Sequence, residues 1–138
     1  MNIVTDMSHY TAWTDVPIRF NDVDMLGHVN NTIYPVFFET GRAGVTRGPE
    51  SPPMIPGRGF VIAQLTVRYL KPITWPGTVN VGTRVLAIGN SSFTMAQAVF
   101  MNGTCAAAGE CVIVYIDLAS GKSTSLEEQR RKYFEKYQ

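Results

Sequence analysis

From residue 78 to residue 117 strand-like runs follow one another, and in the first of them, 78–88, apolar and polar positions alternate with the period of a strand that has one face in a core. Val79, Val81, Val85 and Ala87 fall on one side of the first such run, and Asn80 and Arg84 fall on the other. The first side is expected to be core and the second largely solvent. Two-residue turn signals, Gly89-Asn90 and Asn102-Gly103, separate the runs, and the second suits a type I′ turn. The segments 78–88, 91–101 and 104–117 are therefore expected to form an antiparallel meander. A further strand is expected over 60–70, and a short one over 11–20 after a frayed start.

The period becomes helical near Thr32. Ile33, Val36, Phe37, Thr40, Gly41 and Gly44 recur at the spacing of one helix face, with Asn31 or Thr32 as the expected N-cap. Pro35 fits the first turn, where a missing N–H costs least. Between residues 48 and 59, Pro49, Pro52, Pro53, Pro56, Gly57 and Gly59 rule out helix and central strand and make a loop. Near the C-terminus, Ser125 and Glu128 have capping-box spacing and open a short helix through Lys136, with Leu126, Arg130, Tyr133 and Tyr137 along one side. The order is strand, long helix, four antiparallel strands, short helix. It describes a single α+β domain over residues 1–138, with the helix against the concave face of one sheet. A long edge strand invites a second copy, so a symmetric homodimer is expected.

Composition narrows the function classes. With 45% hydrophobic and 17% charged residues the chain can bury a core, and its formal net charge of +1 gives no general field for nucleic acid or an anionic membrane. No stretch approaches the roughly 20 apolar residues of a membrane span, and the N-terminus has neither a basic flank nor an apolar run. A cytoplasmic protein is expected. Cys105 and Cys111 lie on one expected strand, about 20 Å apart, too far to bridge and without a nearby His for zinc. They are expected to be small core residues.

The chemistry concentrates in residues 19–34. Asp22, Asp24, His28, Asn30 and Asn31 crowd into a polar loop just before the helix. A helix N-terminus presents unpaired N–H groups and partial positive charge, which stabilise an oxyanion, and a carboxylate beside it can attack or activate water. The same residue types also serve as plain turn and helix caps, so the residues alone leave both readings open. A Ser-His-Asp hydrolase is not indicated: there is no Gly-x-Ser-x-Gly elbow, and only His9 and His28 are present.

The spacing Asp22-x-Asp24-x-x-Gly27-His28-Val29-Asn30-Asn31-x-x-Tyr34, followed by Glu39 and Arg42, resembles the signature of the 4-hydroxybenzoyl-CoA thioesterase family. The run from Leu65 through Lys71, Pro72 and Ile73 resembles that family's second strand and its basic exit, and the likeness in strand order extends from Pro17 to Leu118. The resemblance implies a hotdog fold, an antiparallel sheet wrapped around a long central helix. It further implies an acyl-CoA thioesterase that releases free acid and coenzyme A.

Position by position, it implies that Asp24, and not Asp22, is the catalytic carboxylate, as nucleophile or general base. The backbone N–H near Asn31 would polarise the thioester carbonyl, Gly27 would give a tight turn close to substrate, and Tyr34 would pack under the site. His28 would hold the loop or act as a base, and Glu39 and Arg42 would form an ion pair or anchor the loop. Arg58, Arg68, Lys71 and Arg84 are candidates for the coenzyme A phosphates, each with ordinary surface charge as the alternative. Phe60, Met54 and Phe38 are candidates for the acyl pocket, each with a core role as the alternative. No metal or organic cofactor is implied, since coenzyme A enters as part of the substrate. The expected assembly is a homodimer, or a homotetramer built as a dimer of dimers. Two other functions fit the same fold: a non-catalytic acyl-CoA binding or sensing module, and a hotdog hydratase. The hydratase pattern lacks its Asn-Pro here.

Overall fold

The computed structural model describes residues 1–138. Its elements are β1 (Ala12–Pro17), α1 (Tyr34–Thr46), β2 (Arg58–Tyr69), β3 (Thr78–Ile88), β4 (Ser92–Met101), β5 (Thr104–Asp117) and α2 (Glu128–Glu135), with single 3₁₀ turns at Met7–His9 and Phe20–Asp22. The strands form one five-stranded sheet in the order β1-β3-β4-β5-β2, antiparallel at every pairing. The meander of β3, β4 and β5 is as expected, and Asn102 and Gly103 both take positive φ, the conformation a type I′ turn requires.

Helix α1 packs on β1, β3 and β4. Phe37, Phe38 and Val45 are fully buried, as are Val79, Val81 and Val85 of the sheet beneath. Burying each such side chain contributes about 1.5–3 kcal/mol, more than the roughly 1 kcal/mol of an N-cap, so packing sets the helix position. This explains why neither Asn31 nor Thr32 caps it. Ile33 holds the N-cap position with no side-chain hydrogen bond. Asn30 Oδ1 accepts from Thr32 N and Oγ1 at 2.9 and 2.7 Å, closing a turn ahead of the helix.

Gly41 lets α1 approach the sheet, since a Cβ there would lie 2.7 Å from Val81 Cγ1. Beside it the buried Gln97 on β4 donates to Phe38 O at 2.8 Å and to Thr83 Oγ1 at 3.1 Å, and accepts from Arg42 Nη1 at 3.2 Å. Arg42 is thus tied to the sheet, while Glu39 stays exposed and forms no ion pair with it.

Three register shifts interrupt the sheet, one of them between Val99 and Phe100 of β4 where Ala106 of β5 is extra, and the other two bear on the core and the site. In β3 the register shifts between Val85 and Ala87, so Ala87 is exposed and Ile88 packs against the core, the reverse of simple alternation. In β2 the shift falls at Ala63, between Ile62 and Gln64. Phe60 and Ile62 lie opposite the buried Tyr115 and Ile113, and Leu65 lies opposite the buried Cys111. Directly opposed residues share a face, so Phe60, Ile62, Leu65, Val67 and Tyr69 all face the helix side.

The N-terminus is packed rather than frayed. Tyr10 is buried with Ala96, Ala98, Phe100, Cys105 and Ala108 on the outer face of the sheet, Ile3 packs beside it, and Tyr10 Oη donates to Val4 O at 2.6 Å. The small alanines leave room for the ring, and the outer face is correspondingly less open to solvent than the alternation predicts.

The capping box at Ser125 does not form. Glu127 precedes α2, and Ser125 Oγ instead accepts from Asn90 Nδ2 at 3.2 Å. Glu127 accepts from Tyr115 Oη at 2.6 Å and from Arg130 Nε at 3.3 Å. The buried Arg130 also donates to Pro52 O and Pro53 O, fastening the proline-rich loop. Burial raises the Glu127 carboxyl, but the hydrogen bonds from Tyr115 and Arg130 outweigh it and hold the group below its ordinary value. A carboxyl lowered on folding stabilises the native state above its unfolded pKa, and that stability is lost as pH falls through the folded value. Urea unfolding at stepwise lower pH is expected to show stability falling below about pH 4.5, the ordinary glutamate value, with a shallower fall in Glu127→Gln.

Candidate active site

The chain between β1 and α1 builds the site by fixing its own backbone. Asp22 is almost fully buried, and its carboxylate accepts from Arg19 N at 2.8 Å, Nε at 3.0 Å and Nη2 at 2.7 Å. Its acceptors are therefore used within the turn. Val29 N donates to Ile73 O, Asn30 N donates to Asp22 O, and Val23 bridges to Val29. Between them, Asp24 N donates to His28 O at 2.9 Å and Gly27 N donates to Asp24 O at 3.0 Å. The tight turn over residues 24–27 needs the φ of +80° that Gly27 supplies without strain.

That turn presents the half-buried Asp24 carboxylate. Oδ1 accepts from Leu26 N at 2.9 Å, whereas Oδ2 has only a long contact of 3.5 Å to Asn30 Nδ2. The second oxygen keeps acceptor capacity. Asp24 borders a hollow of about 380 Å³, together with Leu26, His28, Val29, Asn31, Tyr34, Tyr69, Leu70, Lys71 and Pro72. It also borders a smaller one of about 200 Å³, walled by Phe20, Val23, Gly27 and Trp75, in which Phe20 and Trp75 meet edge to face at 5.2 Å.

The backbone at Asn31 has an unusual pattern. Its N–H donates to no group in the protein, while the flanking Asn30 O accepts from Ile33 N at 2.9 Å. In a continuing helix Asn31 O would accept from the N–H four residues on, but that residue is Pro35, which has none. Tyr69 Oη fills the vacancy, donating to Asn31 O at 2.8 Å. Tyr69 also stands edge to face against Tyr34, with ring centroids 5.1 Å apart. Tyr34 is buried beneath, and burial, with a smaller contribution from Tyr69, pushes its phenol above the ordinary value, so it stays neutral.

Of the residues the sequence singles out, Asp24, His28, Asn31, Tyr34 and Lys71 line one hollow, and Gly27 shapes the turn beside it. The exposed His28 ring has no partner; the residue holds the loop through its carbonyl. The structure does not bring Phe60 or Arg68 to Asp24 within a chain. Phe60 stacks among Phe93, Tyr115 and Phe134 and borders a separate groove of about 240 Å³ with Glu39, Arg42 and Ile62. Arg68 is exposed on the face opposite Val67 and Tyr69. Arg58 pairs with Asp117, and Arg84 donates to His9 O. Phe38 is core, and Met54 packs against the separate cluster that holds Phe93 and Phe134.

Tyr69 and the aromatic pair Phe20 and Trp75 are site residues that the sequence pattern did not single out. Strand alternation from the inward Val67 is the signal that points to Tyr69. No group of three or more His, Cys, Asp or Glu is placed to hold a metal ion, and no helix is long and apolar enough to cross a membrane.

Comparison with known proteins bears on the family and the fold. The family profile of the Thioesterase-like superfamily matches residues 18–133. A thioesterase from Thermus thermophilus, solved in complex with coenzyme A and zinc, is 34% identical, with 91% of this chain and 98% of that chain covered at a TM-score of 0.80. The PA5185 protein of Pseudomonas aeruginosa shares the fold at a TM-score of 0.89 and 24% identity, covering 99% of this chain and 97% of its own. The uncharacterized protein YsmA of Bacillus subtilis (strain 168) is 23% identical over 124 residues, 89% of this chain and 84% of its own. With a family profile spanning both the loop that carries Asp24 and the whole of the sheet from β2 to β5, the chain belongs to the thioesterase-like superfamily and has its hotdog fold.

Proposed function

We propose that the protein is an acyl-CoA thioesterase whose carboxylate is Asp24 and whose oxyanion donor is the backbone N–H of Asn31. The observation that carries this reading is that one hollow is bordered both by Asp24, which has a carboxylate oxygen with spare acceptor capacity, and by Asn31, whose N–H at the helix entrance has no partner. The coenzyme A bound to the Thermus thermophilus thioesterase supports coenzyme A as the thiol portion here.

In the general-base route Asp24 takes a proton from water as the water oxygen bonds to the carbonyl carbon. The carbonyl electron pair moves onto oxygen, where the Asn31 N–H stabilises it. When the pair returns, the C–S bond breaks and the thiolate leaves with the sulfur electrons. In the nucleophilic route Asp24 bonds to the carbonyl carbon directly, the thiolate leaves, and water then cleaves the anhydride. A thiol of pKa about 8.5 departs without a strong general acid, so His28 is not required for chemistry. An oxyanion donor of this kind is worth roughly 10²–10³ in rate. Lys71 at the rim is the proposed contact for a coenzyme A phosphate, with Arg68 on the outer face of the same strand end.

The homodimer belongs to the same proposal. Strand β2 pairs only with β5, and its free edge carries the exposed Ile62, Leu65 and Tyr69 on the helix side. An uncovered apolar edge of this length is suited to pairing with its own copy. Leu65→Glu is expected to halve the mass measured by light scattering after gel filtration; an unchanged mass would remove β2 from the interface.

Thiol release from a panel of short, medium, long and aromatic acyl-CoA thioesters tests the activity itself. Release from at least one class is expected. Tight binding of all of them without release would make the protein an acyl-CoA binding module.

A further inference from the structure

We propose that Tyr69 is a positioning residue for the hydrolysis, acting through the Asn31 carbonyl to hold the Asn31 N–H on the substrate carbonyl; this rests on the thioesterase reading above.

Such a residue has a task here. Asn31 lies two residues ahead of the N-cap Ile33, its carbonyl has no main-chain donor and Pro35 has no N–H to offer, and the Tyr69 hydroxyl supplies a donor from across the hollow at 2.8 Å. The same peptide is held at its other end, where Thr32 N donates to Asn30 Oδ1 at 2.9 Å. The preceding peptide is held by Ile33 N on Asn30 O at 2.9 Å, which turns the Asn31 N–H the opposite way, as a trans peptide must. Two consecutive peptides are therefore fixed, and the only N–H between them without a partner is that of Asn31. Of these ties, the Tyr69 bond is the one that reaches outside the loop. It fastens the helix entrance to β2, so the donor's aim is referred to the sheet.

Loss of the hydroxyl would leave Asn31 O facing water, with no other donor in place. An oxyanion donor acts by being aimed before the reaction, and misplacement by about 1 Å can cost as much as 10²-fold. The ground-state substrate does not depend on this aim to the same degree, so the effect should fall on kcat rather than on binding.

The test compares wild type, Tyr69→Phe and Asp24→Asn with three probes: the best acyl-CoA substrate, its thioether analogue that lacks the carbonyl, and a trifluoromethyl ketone analogue that forms a tetrahedral anion. For Tyr69→Phe, kcat is expected to fall about tenfold and affinity for the trifluoromethyl ketone to weaken in proportion, with thioether affinity within about twofold of wild type. The ring is half exposed and is retained by Phe, so thermal unfolding should move by only a few degrees. Unchanged kcat, or thioether affinity that falls as far as kcat, would overturn the positioning role. If wild type is active and Asp24→Asn is not, that failure is confined to Tyr69. An inactive wild type overturns the thioesterase reading and this role with it, whereas an active Asp24→Asn overturns only the assignment of the carboxylate.

Discussion

Replacing Asp24 by Asn is expected to lower thiol release at least a hundredfold while leaving fold and ligand affinity near wild type. Asparagine keeps an oxygen for the Leu26 N–H that closes the turn, so the 24–27 loop retains its main local tie. What is lost is the anionic oxygen, and with it both the proton acceptor and the nucleophile. General-base catalysis is typically worth 10²–10⁴ in rate, which sets the size of the expected effect. Asp22→Asn makes an informative contrast. The Asp22 carboxylate is buried against Arg19, so its neutralisation should reduce stability and reach activity only through the loop. Label appearing in Asp24 itself after a single turnover of wild type in ¹⁸O-labelled water marks the nucleophilic route, with water cleaving the anhydride at the Asp24 carbon. Full activity in Asp24→Asn would remove this carboxylate from the chemistry.

The largest stability loss is expected from Gly109→Ala. Gly109 sits inside β5, opposite Val67 of β2 on one side and Gln97 of β4 on the other. A Cβ there would collide with the backbone oxygen of Thr66 and lie 3.2 Å from Phe38 Cε2. Thr66 belongs to the ladder and cannot rotate aside as a flexible side chain could. Overpacking of a filled site typically costs 1–3 kcal/mol, and a clash with fixed backbone belongs at the upper end or beyond. Urea unfolding should give a loss of about 3 kcal/mol or more. A loss below about 1 kcal/mol would mean that β2 moves away from β5 freely, leaving packing around Phe38 undisturbed.

Much of the architecture could be read from local signals. Asn102-Gly103 is a turn with its own backbone preference, and the apolar spacing from Ile33 to Gly44 specifies a helix wherever it packs. The site loop was legible as well, because Asp24, Gly27, His28 and Asn31 are close in sequence and their spacing resembles a family signature. Contacts between distant segments were not. Nothing near Arg130 announces the carbonyls of Pro52 and Pro53, and nothing near Gln97 announces Arg42. Capping expectations failed where a competing partner was available, as with Ser125 and Asn90. Phe60 was a reasonable choice for an acyl pocket by residue type, yet its place among Phe93, Tyr115 and Phe134 follows from pairings that no local spacing reveals.

The extra residue in β2 gives that strand a reading frame. Phe60 and Ile62 on one side of Ala63, and Leu65, Val67 and Tyr69 on the other, belong to opposite parities in the sequence and reach the same face only because one residue goes uncounted in the pairing. Being skipped is therefore what this residue does. Drawing it into the ladder would straighten the strand but turn one half inside out, exchanging Phe60 and Ile62 for Val61 or carrying Tyr69 away from the helix entrance. Deleting it would leave both halves facing as they do, whereas a bulge ironed out with the residue kept would be felt from the aromatic core at one end to the proposed oxyanion donor at the other.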